Sequence, residues 1–235
     1  MKIKELRAEL LELADAEIAA HSQRFFKTGP GEYGEGDQFI GIRIPVLRKL
    51  AKRHTDLSLD ETADLLQSPI HEERLLALLI LVYQFEKADT KEQKQIFDFY
   101  RQHLAQVNNW GLVDSSAHVM VGGYLRDRSR RWLHQMAKSK SLWRRRVAII
   151  ATYHFIKHDD FDDTLVISET LLHDKEDLIH KAVGWMLREV GNRDRPVEEA
   201  FLKRHYQDMP RTMLRYAIEK FPEVLRKKYL SGEVS

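Results

Sequence analysis

The sequence contains no cysteine, few glycine and proline residues, and no long hydrophobic run. The absence of cysteine excludes disulfides, thiolate metal ligands and cysteine nucleophiles, and it is consistent with a reducing compartment. The longest uninterrupted apolar run, residues 75–83, is far shorter than the ~20 residues that a membrane-spanning helix requires. Residues 1–20 also lack the apolar core of a signal peptide. We therefore expect a soluble, cytoplasmic protein.

Hydrophobic residues recur with a helical period. With 11 Gly and 6 Pro in 235 residues, and with abundant Ala, Leu, Glu, Lys and Arg, the composition favours helices. The clearest apolar stripe, in residues 179–190, falls at i, i+3, i+4, i+7, i+8 and i+11. The β-like run 39–44 is too short to found a sheet. The predicted class is all-α, with further helices over residues 3–20, 46–53, 59–66, 72–85, 91–103, 112–125, 130–138, 142–157, 163–172, 211–221 and from Pro196 through 206.

A weak repeat links the helices. In each unit of this repeat a charged residue precedes a small or apolar run, and the charged residues are Arg74, Asp114, Arg146, Lys181 and Arg215. Their separations of 40, 32, 35 and 34 residues match the period of two-helix solenoid repeats. We therefore predict one HEAT-like repeat domain over residues 1–235, a right-handed α-solenoid of about six helix pairs with a concave basic groove.

Charge is segregated along the chain although the formal net charge is only +2. Residues 126–158 hold ten Lys or Arg and a single acid, Asp127, whereas residues 159–177 hold eight acids and a single cation, Lys175. One interpretation is a basic face that binds a polyanion. The other is a solvated basic helical hairpin that leans on an acidic neighbour.

Three of the repeat cations, Arg146, Lys181 and Arg215, are expected near helix amino termini, where the helix dipole disfavours positive charge. An anionic ligand in the groove would explain this placement. Backbone amides at a helix amino terminus, together with Lys or Arg, form a phosphate site.

Two tryptophans stand out from the apolar stripes. Trp110 and Asp114 are four residues apart, so on a helix they share one side. Trp185 lies off the stripe of residues 179–190, on the side of Lys181 and Arg188. An exposed aromatic ring among cations is typical of nucleic-acid binding, and the alternative is that neighbouring helices bury this ring.

Asp114 is the candidate catalytic carboxylate. Trp143 and Arg146 repeat the pairing of an aromatic ring with a cation, and a carboxylate near Arg stays ionised. Facing a deoxyribose, such a group can stabilise an oxocarbenium ion or orient a water molecule. The alternative is that Asp114 only caps a helix.

Other chemistries find little support. His154 and His158 have a metal-ligand spacing, but no third ligand recurs and the HExxH motif is absent, so we expect no metal. No other cofactor is expected either. The glycine-rich segment 29–36 lacks the Walker and dinucleotide patterns, and it is interpreted as a flexible connector, with a flap over a ligand as the alternative.

Three segments together resemble the DNA alkylation repair family of HEAT-like bacterial glycosylases, the AlkD family. They are NWGLVD at 109–114, LWRRR at 142–146 and KAVGWMLRE at 181–189. The segment GIRIPVLRKL at 41–50 is similar to the G-x-R-x-P entry segment of that family. The glycine-rich segment 29–36 departs from some members.

The resemblance implies a DNA glycosylase that removes cationic N3- or N7-alkylated purines from duplex DNA without enclosing the base in a protein pocket. The catalytic residues that it implies are Asp114, Trp110 and Trp185, with an arginine, Arg146, near the DNA backbone. Together with the charge pattern, this gives as DNA-binding candidates Arg146, Lys181, Arg145, Arg144, Arg188 and Arg215. We expect a monomer.

The alternative function is a HEAT-like module that binds nucleic acid or acts as a protein scaffold without chemistry. The presence of Asp114 with both tryptophans favours the enzyme, because a binding module has no need of a carboxylate among phosphate-binding cations.

Overall fold

The computed structural model describes residues 2–234, and its regular structure is helical. Within these residues β pairing is limited to one isolated parallel bridge between Gln38 and Ile70. The predicted all-α class is therefore confirmed. The helices are α1 (Lys2–Glu12), α2 (Ala16–Phe25), α3 (Ile44–Arg53), α4 (Leu59–Leu66), α5 (His71–Lys87), α6 (Thr90–Gln102), α7 (Trp110–Ala117), α8 (Gly123–Leu125), α9 (Arg131–Ala137), α10 (Leu142–Ala151), α11 (Tyr153–Ile156), α12 (Asp162–Thr170), α13 (Asp177–Arg193), α14 (Arg195–His205), α15 (Arg211–Ala217) and α16 (Glu223–Ser231).

Helix starts follow local capping chemistry. Capping boxes begin α4, between Ser58 and Glu61, and α6, between Asp89 and Glu92. In each box the first side chain accepts a hydrogen bond from a backbone N–H of the first turn, and the Glu three residues later accepts one from the backbone N–H of the cap residue. Pro196 lies in the first turn of α14, where its missing N–H has no helical partner to lose. The start predicted for that helix is confirmed.

Two predicted helices are interrupted. The segment 3–20 forms α1 and α2 rather than one helix, because the carboxylate of Asp15 accepts hydrogen bonds from two amides of the next turn and starts α2. Leu13, which follows the end of α1, is exposed. The segment 142–157 forms α10 and α11, with a break at Thr152, whose hydroxyl donates to the Ile149 carbonyl.

The carboxyl-terminal helices also differ from expectation. The predicted helix 211–221 is α15 followed by a 3-10 turn at Ile218–Lys220. The helix α16 was not predicted, because its apolar positions are few and the sequence around Pro222 gives no stripe. None of the helices that the structure describes combines the length and the apolar character needed to cross a bilayer.

The chain divides into two compact units, one up to Met120 and the other from Val121 onward. The boundary falls in a π-helical turn at His118–Gly122, which interrupts the predicted helix 112–125 between α7 and α8. The prediction of one repeat domain over residues 1–235 stays a prediction, as do the handedness of the solenoid and the concave basic groove.

In the first unit α5 is the central helix, packed by α3, α4, α6 and α7. Residues 75–82 are all buried, so this helix presents no polar face. A helix that is apolar on all sides requires neighbours on all sides. The long apolar run in the sequence is therefore a core helix.

In the second unit α10, α13 and α15 pack side by side, with α13 in the middle. The helices α9, α12 and α14 pack against them as the first members of helical pairs. Gly184 permits the close approach of α13 and α15, since a Cβ atom there would lie 2.4 Å from the carbonyl oxygen of Met213. This packing of paired helices is consistent with the predicted α-solenoid.

The repeat cations do not lie at helix amino termini. Arg146 and Lys181 are each the fifth residue of their helix, one full turn inside α10 and α13. Arg215 belongs to the last turn of α15, where the helix dipole favours a cation. The dipole argument for an anion at these positions is therefore wrong, because Arg146 and Lys181 lie one turn inside their helices and Arg215 lies in a last turn.

Candidate functional site

The candidate catalytic pair of the first unit lies on α7. Asn109 caps this helix, and its side-chain oxygen accepts the amide hydrogen of Gly111 at 3.2 Å. Trp110 is the first residue of the helix and Asp114 the fifth, so the two half-buried side chains stand one turn apart. The structure thus brings this predicted pair together, and Asn109 rather than Asp114 is the cap of the helix.

Trp110 packs on an aromatic cluster. Its ring stacks on Phe26, with centroids 4.7 Å apart and planes 15° apart, and Phe25 meets it edge-on at 5.7 Å. Phe26 also contacts Phe39 at 5.0 Å and His71 at 4.9 Å. The Phe25–Phe26 pair was not predicted from the sequence. In the sequence this pair is visible as two consecutive aromatic residues. Phe25 ends α2 and is 57% exposed.

The glycine-rich segment connects α2 and α3, as predicted, and it contacts the same tryptophan. The indole N–H of Trp110 donates to the hydroxyl of Tyr33 at 3.1 Å. Gly34 lies so close to the end of α2 that a Cβ atom would stand 2.4 Å from the carbonyl oxygen of Phe26. The loop is therefore folded onto the aromatic cluster through hydrogen bonds and close packing. A role as a flap over a ligand stays a prediction.

A buried polar network supports the start of α7. The carboxylate of Asp37 accepts hydrogen bonds from Asn109 Nδ2 at 3.0 Å and from the guanidinium of Arg74, and His71 Nδ1 lies 3.1 Å from it. Burial by itself raises the pKa of Asp37, but the His71 hydrogen bond and the Arg74 charge outweigh it and lower the pKa below 3.8. Because an ionised carboxylate only accepts, His71 Nδ1 carries the proton. Arg74 is thus a structural counter-ion.

The negative charge of Asp114 affects a neighbouring buried tyrosine, Tyr100. Burial is the main cause that raises the pKa of Tyr100, and the negative charge of Asp114 raises it further. The hydrogen bond between the Tyr100 and Ser116 hydroxyls, 3.2 Å apart, lowers the pKa of Tyr100 by more than Asp114 raises it, but burial outweighs both. Asp114 is therefore an anionic group at the edge of the core of this unit.

The candidate aromatic residue of the second unit lies on α13. Trp185 is half-buried and off the fully buried stripe of that helix, as the sequence predicted. Its indole N–H donates to Glu189 Oε1 at 2.9 Å, and its ring lies 6.0 Å from the ring of Tyr153 with planes 44° apart. Arg188 forms ion pairs with Glu189 and with Glu219. The predicted neighbourhood of Trp185 and Arg188 is therefore present, with carboxylates that the prediction did not include.

The consecutive arginines of α10 have different environments. Arg146 is buried, and its guanidinium donates to the carbonyl oxygen of Leu178 on α13. Arg145 forms a bidentate pair with Asp174, at 2.6 Å and 3.2 Å. Arg144 is exposed and has no ion-pair partner among the described residues. Of the three, Arg144 has the most accessible charge.

Among the remaining candidates, Lys181 pairs with Asp177 at 2.7 Å. This hydrogen bond is the main cause that lowers the pKa of Asp177. Arg215 is exposed and, within residues 2–234, forms no ion pair. The DNA contacts of all six cationic candidates stay predictions.

The acidic segment 159–177 neutralises part of the basic segment. Arg130 lies 2.7 Å from both Asp160 and Asp163, and His134 lies 2.6 Å from Asp163. The interpretation of a basic hairpin against an acidic neighbour therefore accounts for these residues and for Arg145. It does not account for Arg144.

The histidine pair lacks the surroundings of a metal site. His154 and His158 stack with centroids 4.8 Å apart, and burial with the neighbouring positive charge lowers the pKa of His154 to about 4. In the part of the chain that the structure describes, no cluster of three His, Asp or Glu side chains is arranged to hold a metal ion.

Comparison with known families identifies the chain through most of its length. The family described as DNA alkylation repair enzyme matches residues 6–221. The chain belongs to this family of DNA alkylation repair enzymes. A solved structure described as a predicted DNA alkylation repair enzyme from Enterococcus faecalis is similar, with a TM-score of 0.67 and 17% identity over 89% of this chain and 97% of that one. At that identity it shows the shared helical fold alone, and no curated protein matches the chain.

Membership of the DNA alkylation repair family agrees with the resemblance found in the sequence. It shows that the chain belongs with enzymes of DNA repair. The reaction, the lesions and the residues that act on them go beyond this finding.

Proposed function

We propose that this DNA alkylation repair enzyme is a glycosylase that excises cationic N3- or N7-alkylated purines from duplex DNA without a base-flipping pocket. The observation that carries the proposal is the placement of Asp114 one turn after Trp110, on a helix start held by a buried polar network and an aromatic cluster. A rigid anionic group beside an aromatic ring suits a site where positive charge develops on a sugar.

In the proposed reaction the bond between C1′ and the purine nitrogen breaks, and its electron pair leaves with the base. The departing base loses its positive charge, while C1′ becomes part of an oxocarbenium ion. The negative charge of Asp114 stabilises that ion. Water then adds to C1′ and releases a proton, so the products are a neutral base, an abasic site and one proton.

Binding to duplex DNA is assigned in this proposal to the cations of the second unit. Arg144 and Arg215, which are exposed and have no ion-pair partner in residues 2–234, and Lys181 would contact phosphates. Such contacts displace condensed counterions, so affinity should fall steeply with salt. Three other candidates, Arg145, Arg146 and Arg188, already have hydrogen-bond or ion-pair partners in the protein. They would contact phosphates only if DNA replaced those partners. A monomeric state and a cytoplasmic location remain part of the proposal.

The test is single-turnover release of 7-methylguanine and 3-methyladenine from alkylated duplex DNA by the wild type and by Asp114→Asn. We expect the variant to be about 100-fold slower, because the amide lacks the charge that faces the sugar cation. Its melting temperature and duplex affinity should stay close to the wild type. Asp98→Asn, on the exposed pair with Lys94 in the same unit, is the matched control.

The same assay separates the alternatives. Uracil and hypoxanthine should stay in the DNA, because selectivity would come from the charge of the leaving group and not from a base pocket. Tight duplex binding without release of any alkylpurine would support the non-catalytic HEAT-like module. Release by Asp114→Asn at the wild-type rate would remove Asp114 from the mechanism.

A further inference from the structure

Glu189 lies one turn after Trp185 on α13, and its carboxylate is held by three donors. Oε1 accepts the indole N–H of Trp185 at 2.9 Å and lies 3.3 Å from Arg188 Nη2. Oε2 accepts a hydrogen bond from Asn192 Nδ2 at 3.1 Å. The orientation of this carboxylate is therefore determined from both of its oxygens.

The ion pairing of Glu189 continues beyond α13 through Arg188. Arg188 reaches from Glu189 to Glu219 in the 3-10 turn that follows α15. The carboxylate also acts on Tyr153, whose pKa is raised by burial first and by the charge of Glu189 second. Glu189 thus accepts the indole N–H of Trp185 and acts electrostatically on Tyr153.

Trp185 depends on this carboxylate for its orientation. Among the described residues its ring contact is with Tyr153, and that contact is loose and tilted at 6.0 Å and 44°. A tryptophan side chain has two rotatable bonds, and a hydrogen bond at the far edge of the indole restrains both. A charged acceptor makes this bond roughly twice as strong as a neutral one.

A carboxylate on a helix proposed to face DNA has an electrostatic cost, because it repels phosphates. Here the cost is limited, since Arg188 neutralises the group and the side chain of Glu189 is only 18% exposed. Partial exclusion of water also strengthens the hydrogen bond to the indole. A carboxylate at this position is explained if the orientation of Trp185 contributes more to activity than the DNA affinity that is lost with one unit of positive charge.

We propose that Glu189 is a positioning residue that holds the indole of Trp185 in the orientation in which it contacts the substrate. This inference rests on the proposed glycosylase function, and it adds a residue that neither the family membership nor the sequence motif assigns. Glu189 acts through Trp185 and does not itself contact the reacting atoms.

The experiment compares Glu189→Ala and Glu189→Gln with the wild-type protein. The four tryptophan indole N–H signals are recorded in a ¹H–¹⁵N correlation spectrum, with that of Trp185 assigned by Trp185→Phe. Excision of 7-methylguanine is measured in single turnover, and duplex affinity separately. Glu199→Ala is the matched control, because Glu199 forms a 3.0 Å pair with Arg195 in the same unit.

We expect Glu189→Ala to shift the Trp185 indole signal alone and to slow excision about ten-fold, with little change in duplex affinity. Glu189→Gln, whose amide oxygen still accepts the indole hydrogen, should restore both the signal and most of the rate. Should Glu189→Ala fail to fold, Asn192→Ala, which removes one donor from the carboxylate, should cause a smaller shift and a smaller loss of rate in the same direction.

An unmoved Trp185 signal in Glu189→Ala, or a loss of rate no larger than that of Glu199→Ala, would overturn the proposal. So would a Glu189→Gln variant with a wild-type indole signal and the slow rate of Glu189→Ala, because the charge would then matter and the orientation would not. A wild-type protein that releases no alkylpurine refutes the proposed function instead. In that case the indole signal of the variants still decides whether Glu189 orients Trp185.

Discussion

Asp37 in the first unit and Glu198 in the second are both buried carboxylates, 5% and 2% exposed, but their surroundings are opposite. Asp37 is contacted by Arg74, His71 and Asn109, and its pKa is lowered. Glu198 has one oxygen with no hydrogen-bond partner among the described residues, and burial raises its pKa to about 8 despite the charge of Arg195. Burial alone thus favours the neutral acid, and only several directed donors reverse that preference.

The two tryptophans differ in a similar way. Trp110 is stacked on Phe26 and donates to the neutral hydroxyl of Tyr33, so ring packing determines its position. Trp185 has a loose ring neighbour and donates to the charged carboxylate of Glu189. The first unit therefore positions its tryptophan by ring packing, whereas the second positions its tryptophan by a hydrogen bond to a charged group.

The buried carboxylates should make the units respond to pH in opposite directions. Because the folded pKa of Asp37 is lowered, its stabilisation is present above its ordinary pKa of 3.8 and is lost as the pH falls further. The folded pKa of Glu198 is raised, so the folded state is favoured below its ordinary value of 4.5 and loses stability as the pH rises to about 8.

The largest effect is expected from Arg74→Met, which leaves the charge of Asp37 buried without its guanidinium. Breaking a buried ion pair by removing one partner costs about 3–5 kcal/mol of unfolding free energy. Urea unfolding at pH 7 measures this loss. Arg101→Met, which removes an exposed partner of Asp98 at 3.7 Å, should cost less than ~1 kcal/mol. Equal losses in the two variants would mean that the Asp37 network contributes no more than a surface pair.

The next effect is a gain of stability, from Glu198→Gln. The amide cannot ionise, so the variant avoids the cost that the wild type acquires between pH 4.5 and about pH 8. Its advantage in unfolding free energy should grow by about 3 kcal/mol between pH 5 and pH 8. Thermal unfolding at both pH values measures the change, with Glu199→Gln, a half-exposed neighbour, as the control. An advantage that does not change with pH would show that Glu198 is ionised in the folded protein.

Local patterns in the sequence predicted part of this arrangement. The periodicity of residues 179–190 placed α13 and its buried stripe, and the four-residue spacing of Trp110 and Asp114 placed both on one turn of α7. The same four-residue spacing relates Trp185 and Glu189, whose hydrogen bond was not predicted. Interactions within one helix can therefore be read from spacing, because the helix fixes which residues are neighbours.

Contacts between distant segments were not predictable in this way. Asp37 meets Arg74 and Asn109 only because a non-helical segment folds against α5 and the start of α7. The partner of Arg145 is Asp174, 29 residues away on another helical pair. Charge counts along the chain therefore exaggerated the number of free cations, because they ignored acids brought in by packing.

The smallest effect is expected from Tyr33→Phe, which tests whether Trp110 depends less on its hydrogen bond than Trp185 does. Tyr33→Phe removes the hydroxyl that accepts the indole N–H of Trp110 but keeps the ring, and a neutral hydrogen bond contributes about 1 kcal/mol. Because Phe26 still supports the indole face, we expect excision to slow by no more than about three-fold, well below the ten-fold loss expected for Glu189→Ala. Single-turnover release of 7-methylguanine measures both, and Tyr83→Phe, in a ring that contacts Lys52, is the control. A loss for Tyr33→Phe as large as that for Glu189→Ala would show that the glycine-rich loop, and not the aromatic stack, sets the position of Trp110.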